Sequence, residues 1–180
     1  MNVSLDFLRA YCSFENPNWV WILTGVVRPK DKISSASVEY YHRFIVRYPE
    51  ELETCYNKIH SDCGDPNTVY RMYISLNARD AVKAAFHFNH TLLDIGYGLA
   101  KGEADALVKA KNIASLWHTE LSQSHSRATK RILLDIDTPD LRKQADFLSK
   151  LRSVLPTQMP IYCMKPTVSG LHVVVDAFRS

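Results

Sequence analysis

Apolar and polar positions along this chain follow two periods, and the places where the period changes mark the elements. The stretch Trp19-Val-Trp-Ile-Leu-Thr-Gly-Val-Val27 is rich in β-branched and aromatic residues and predicts a strand. Residues 38–46 and 69–76 predict two more on the same grounds. Residues 1–18 predict a short helix or arm that ends at the turn-prone Glu15-Asn-Pro-Asn18. Pro49-Glu-Glu51 opens a helix with acidic residues near its positive end. Leu52, Cys55, Tyr56 and Ile59 then recur at helical spacing, and Cys63-Gly64-Asp-Pro66 stops it. A further helix is expected from about Ala81 to Leu93, with Gly96 and Gly98 breaking the chain, and another from about Gly102 to Trp117. Residues 119–127 are polar and rich in Ser and His, as in a loop or a helix end.

The last third has the clearest pattern. Residues 130–137 read as a strand that ends in Leu134-Asp-Ile-Asp137. Thr138 suits a helix N-cap and Pro139 the first helical position, so a helix over 139–152 is expected with Leu141, Ala145, Leu148 and Leu151 on one face. Residues 161–164 and 171–175 predict two closing strands. These elements predict an α+β protein with a mixed β-sheet core and packed helices. Residues 1–118 would form an N-terminal α/β module and 119–180 the core that carries the motifs below, or 1–180 would be one continuous domain.

Composition narrows the class without naming it. The apolar fraction of 46% and aromatic fraction of 11% over 180 residues suffice for a proper core and argue against disorder. A net charge of +3 permits binding to nucleic acid or nucleotide phosphates but does not demand it. No apolar run approaches the ~20 residues of a membrane span, and residues 1–11 lack a secretory pattern. The four scattered cysteines form no Cys-x-x-Cys, so a reduced intracellular setting, cytoplasmic or nucleoid-associated, is expected.

Two stretches carry candidate chemistry. On a strand, Asp135 and Asp137 share one face roughly 6.5–7 Å apart along the axis. Carboxylates so placed suit hard divalent cations such as Mg or Mn, and a helix cap plus a solvated acid is the competing use. The second stretch is Lys165-Pro-Thr-Val-Ser-Gly-Leu-His-Val-Val-Val175, which places His172 just inside an apolar strand. There Gly170 would leave the backbone open to a ligand, or would serve as a plain turn beside a histidine bonded to a local carbonyl.

An apolar strand ending in Asp-x-Asp, a helix, and then Ser-Gly-x-His leading into an apolar strand resembles the archaeo-eukaryotic primase superfamily, the primase-polymerases. The resemblance implies a primase-polymerase-like fold and nucleotidyl transfer from nucleoside triphosphates on a nucleic-acid template and primer, and leaves room for a replication partner; no membrane is expected, given the absence of an apolar span. It implies Asp135 and Asp137 as ligands of Mg or Mn. It also implies Ser169 and His172 as the residues that hold the incoming phosphates, with Lys165 as a basic neighbour. Two departures stand out. Ser169-Gly-Leu-His172 is compact where many relatives carry a longer insert. The family's third acidic residue, on a later strand, has no counterpart before Ser180, which is expected of a fragment, of a third ligand supplied from elsewhere, or of a protein that is not a competent polymerase.

Other residues are open to two uses. Arg79, in Asn77-Ala-Arg-Asp80, stands where a strand gives way to a helix and can touch phosphate or template, or form a surface salt bridge. Arg28, Lys30 and Lys32 form a basic turn that suits a nucleic-acid backbone or plain solvation. Trp19 and Trp21 alternate onto one strand face, as core or as a stacking platform. Cys55, His60 and Cys63 only hint at a zinc spacing, and His87 and His90 share a helix face with no acidic partner evident.

Overall fold

The computed structural model describes residues 3–32, 40–63, 68–156, 159–166 and 170–177. It is an α+β protein built on two antiparallel sheets. Where a mixed β-sheet core was expected there are a four-stranded sheet and a three-stranded one, and every strand pair described is antiparallel.

The first sheet centres on β1 (Trp19–Lys32), which pairs with β2 (Tyr40–Val46), β3 (Thr68–Ile74) and the two-residue β4 (Arg79–Asp80). β1 is apolar on both faces because both are covered. Trp21, Leu23 and Val27 pack into a core with Leu8 of α1 (Leu5–Tyr11) and Leu52 and Ile59 of α2 (Glu51–Cys63). Val20 and Ile22 face the other way, onto Ala84 of α3 (Ala81–Ala100) and Leu121 of α5 (Ile113–Ser122). α2 lies so close to β1 that a Cβ at Gly25 would sit 2.5 Å from Ile59 Cγ2. The expected basic turn at 28–32 is instead the end of β1, because the pairing with β3 resumes at Lys32 after an irregularity. The predicted start of β2 at Val38 and the predicted stop at Gly64–Pro66 lie outside the described residues.

The helical layer differs from expectation in an instructive way. α3 runs through Gly96 and Gly98 to Ala100. Each glycine costs a helix about 1 kcal/mol relative to alanine, too little to end one held by tertiary packing. Gly98 is also where α4 (Ala104–Lys111) comes closest, since a Cβ there would meet Ala106 Cβ at 2.7 Å. The chain turns only at Gly102, the one described glycine with positive φ, at 75°. The single helix expected over 102–117 is two, α4 and α5, which meet at Asn112. No described helix is long and apolar enough to cross a membrane.

The second sheet has the strand order β5-β7-β6, formed by β5 (Arg131–Ile136), β6 (Ile161–Pro166) and β7 (Leu171–Asp176). β5 and β6 both run antiparallel to β7, so they are parallel to each other and joined by the crossover helix α6 (Leu141–Val154). This is a split β-α-β unit. α6 packs on one face, where Leu151 and Leu155 meet Val173, Val175, Ile132 and Leu134. The helix begins two residues later than the Thr138-Pro139 signal predicts. Asp140 is its N-cap, with Oδ1 accepting from Arg142 N at 2.9 Å and Lys143 N at 3.4 Å. Its inner stripe is therefore Phe147, Leu148, Leu151 and Leu155, while Leu141 is 76% exposed.

A polar seam joins the two sheets. The side chain of buried Asn77 imitates a strand edge: its Oδ1 accepts from Arg131 N at 2.6 Å and its Nδ2 donates to Arg131 O at 3.1 Å. Arg131 itself is buried against aromatic rings from three elements, with its guanidinium 3.9 Å from the Tyr162 ring centre, 4.7 Å from Tyr11 and 5.5 Å from Trp21. Val174 and Cys163 close the seam by packing into the first core. The boundary expected between 118 and 119 falls inside α5.

Candidate functional site

Strand register determines what the Asp-x-Asp stretch presents. Asp135 lies opposite His172 across the β5–β7 pair, and His172 lies opposite Lys165 across β6–β7. Ile132, Leu134 and Ile136 go to α6, so Asp135 emerges on the face that the helix leaves open. His172 Nε2 stands 3.3 Å from Asp135 Oδ1, with the side chains 38% and 54% exposed. The partner of His172 is thus a carboxylate rather than a local carbonyl. Both side chains keep polar atoms open to solvent and to a ligand.

Asp137 is held differently. β5 ends at Ile136, and Thr138 N donates back to Ile136 O at 3.0 Å. This three-residue turn is centred on Asp137 and takes it off the strand, so the strict same-face spacing to Asp135 does not apply. Asp137 is exposed. Gly170 lies against the same turn. A Cβ there would be 1.8 Å from Ile136 O and 3.1 Å from Thr138 N. The glycine is required by the close approach of two backbone segments, and the space expected for a ligand at that position is filled by the Ile136 carbonyl. Ser169 and the Lys165 side chain lie outside the described residues.

Other acidic groups near this sheet have other duties. Asp176 Oδ2 accepts from the Tyr162 hydroxyl at 3.1 Å, and that contact with the carboxylate, after burial, helps push the phenol pKa up. Asp176 is also four residues along β7 from His172, about 13 Å at strand rise. Asp140 is occupied as the α6 cap. Asp135 and Asp137 are hard oxygen donors of the class that Mg and Mn prefer. Among the described residues no third carboxylate joins them, and the pair with His172 does not bring three ligand atoms within 4.8 Å of one another.

Arg79 is committed elsewhere. Its Nη1 donates to Ser122 O at 3.2 Å and Gln123 O at 3.1 Å, closing the C-terminal end of α5. Burial lowers its pKa, and nearby Arg127 adds to the effect. Its neighbours are structural as well: Asn77 clamps Arg131, and Asp80 caps α3 by accepting from Val82 N and Lys83 N at 3.0 Å. Trp21 is a core residue whose Nε1 donates to Ser13 O at 2.9 Å. On α2, Cys63 is buried with its thiol pKa raised by that burial, and His60 is bonded to the Tyr70 hydroxyl, so the hinted zinc spacing there is not assembled.

The structure brings together one trio that the linear pattern does not show. His87 of α3, Glu120 of α5 and His125 of the short 3-10 turn Ser124–Ser126 place three ligand atoms within 4.8 Å of one another. The acidic partner missing from the His87–His90 pair is thus Glu120, 33 residues away in sequence. A second feature is an open cleft of about 950 Å³ beside Arg131, lined by Arg9, Tyr11, Phe14, Trp19 and Tyr162. Burial there pushes the Cys12 thiol up to about 12, so it is an inert thiol.

Comparison with protein-family models, with curated proteins and with solved structures finds no match to this chain.

Proposed function

We propose that this chain is a metal-dependent nucleotidyltransferase of the primase-polymerase type and fold. It would join nucleoside triphosphates on a nucleic-acid template, with Mg or Mn held by Asp135 and Asp137. The observation that carries the reading is the cross-strand pair Asp135–His172, 3.3 Å apart on the sheet face opposite α6. That arrangement sets a hard oxygen donor beside a nitrogen donor on adjacent, hydrogen-bonded strands. When bound, a divalent ion in such a centre lowers the pKa of the attacking 3′-hydroxyl and offsets charge on the leaving pyrophosphate. Asp135 keeps free lone pairs because half its side chain is exposed, and it orients the His172 ring toward the open face. His172 then has a second ring nitrogen for a phosphate oxygen, with Lys165 the next residue across the register and Ser169 just before β7.

A second reading is a catalytically degenerate nucleotide- or nucleic-acid-binding module of the same fold. It is favoured by the absence of a third carboxylate among the described residues and by the other duties of Asp176 and Asp140. One assay separates the two. The protein is incubated with Mn or Mg, a primed template and labelled nucleotide, beside the Asp135→Ala, Asp137→Ala double variant. Incorporation by the parent and its loss in the variant supports the enzyme. Template or nucleotide binding without incorporation selects the binding module. Neither binding nor incorporation sinks both.

A further inference from the structure

We propose that His87, Glu120 and His125 form a binding site for a first-row transition metal ion of the zinc class, separate from the Asp135–His172 centre. The three residues come from α3, α5 and the 3-10 turn after it, and their ligand atoms lie within 4.8 Å of one another. His125 Nε2 and Glu120 Oε1 are already in contact, and the His87 and His125 rings lie 3.9 Å apart between centres, tilted by 36°. Metal–ligand bonds of about 2.1 Å in a tetrahedron separate the donors by about 3.4 Å. The observed separations, all within 4.8 Å, bracket that spacing.

The donor set selects the metal. Two imidazoles with one carboxylate suit zinc, cobalt or nickel, whereas Mg and Ca take all-oxygen ligands. Three protein ligands leave a fourth position for water, the pattern of an open rather than a closed zinc site. His87 and His125 are exposed and Glu120 is partly buried, so the ion has a path from solvent and the carboxylate offsets its charge in a partly desolvated place.

The scaffold behind the trio is ordered from several directions. The Phe88 ring meets Trp117 edge-on at 5.4 Å, and Ala84 and Leu121 share a core, which fixes α3 against α5. Glu120 O accepts from the Ser126 hydroxyl at 2.9 Å, and Ser126 is fully buried. Arg79 holds Ser122 O and Gln123 O, two of the carbonyls between Glu120 and His125. The turn that carries His125 is therefore pinned to the helix that carries Glu120. This is the kind of support that keeps metal ligands aimed.

The test is calorimetric titration of the full-length protein with ZnCl2, with Co2+ absorption as a second readout of ligand geometry. About one equivalent is expected to bind. His87→Ala and His125→Ala should each weaken binding by about tenfold or more, Glu120→Gln should weaken it as well, and His90→Ala should leave it unchanged. His87 is exposed, so H87A keeps its fold by circular dichroism and serves as the deciding variant even if H125A loosens the turn. No binding by the parent at ~1 mM Zn2+, or parent-like affinity in H87A, overturns the site. The Asp135→Ala, Asp137→Ala protein should bind Zn2+ as the parent does, which keeps this outcome separate from that of the nucleotidyltransferase assay.

Discussion

The Asp135–His172 pair and the His87–Glu120–His125 trio are held by different means. The first is written into a strand ladder. Asp135 and His172 face each other because β5 and β7 are hydrogen-bonded in that register, and neither can be displaced without shifting every pair from Arg131↔Asp176 to Ile136↔Leu171. The second has no shared backbone ladder; three elements converge through side-chain packing and a pinned turn. The strand pair is fixed by register but stops short of Asp137, since the ladder ends at Ile136 and leaves Asp137 on a turn. The helical trio is complete in number but depends on its supporting core. Register brings two side chains together at no extra cost in order, and a third has to come from another element.

The largest effect that would break this comparison concerns Gly170. Gly170→Ala drives a Cβ into the Ile136 carbonyl and should destabilise the protein by about 3 kcal/mol, read as a lower urea midpoint. Gly96→Ala on α3 meets nothing within 4 Å and should instead raise stability by about 0.5–1 kcal/mol. If the two alanines behave alike, the strand site is not built on a close backbone crossing.

Next in size is the seam. Asn77→Ala removes the bonds to Arg131 N and O and leaves both buried, at a cost of about 2–3 kcal/mol by the same measurement. A cost below about 0.5 kcal/mol would mean that the two sheets are coupled through packing alone. Smaller again is the cap of α6. Asp140→Ala should cost about 1 kcal/mol, and Thr138→Ala should cost clearly less, because the helix begins at Leu141. The reverse order would restore the earlier start.

The smallest stability effect should accompany the largest functional one. Asp135→Asn breaks an exposed pair and should move the melting temperature by under about 2 °C. Under the proposed function, nucleotide incorporation should nonetheless fall to background in the same protein. A large loss of stability would assign the Asp135–His172 contact to structure instead.

Much of this was legible from residue order, because it depends on local periods. The apolar alternation around β5 and β7 places Asp135 and His172 on strands, and the spacing Leu52, Cys55, Tyr56, Ile59 places α2. Signals failed where a longer-range contact outweighed a local one. Gly96 and Gly98 read as breaks, yet α3 continues because α4 packs against Gly98. Thr138-Pro139 reads as a helix start, yet the turn closing on Ile136 O and the close crossing at Gly170 push the start to Leu141. Arg79 reads as a phosphate contact or a surface salt bridge, and like its neighbours Asn77 and Asp80 it bonds backbone groups of this chain.

Sequence by itself determined the approximate place of most strands and helices, the α+β class and the chemical character of the Asp-x-Asp and Ser-Gly-x-His stretches. Those follow from side-chain size, branching and charge acting over a few neighbours. The tertiary structure alone decided that β7 inserts between β5 and β6, that Asp135 has His172 as its partner, and that Glu120 and His125 meet His87. Such meetings depend on which apolar faces find each other across tens of residues, and no local period encodes that distance.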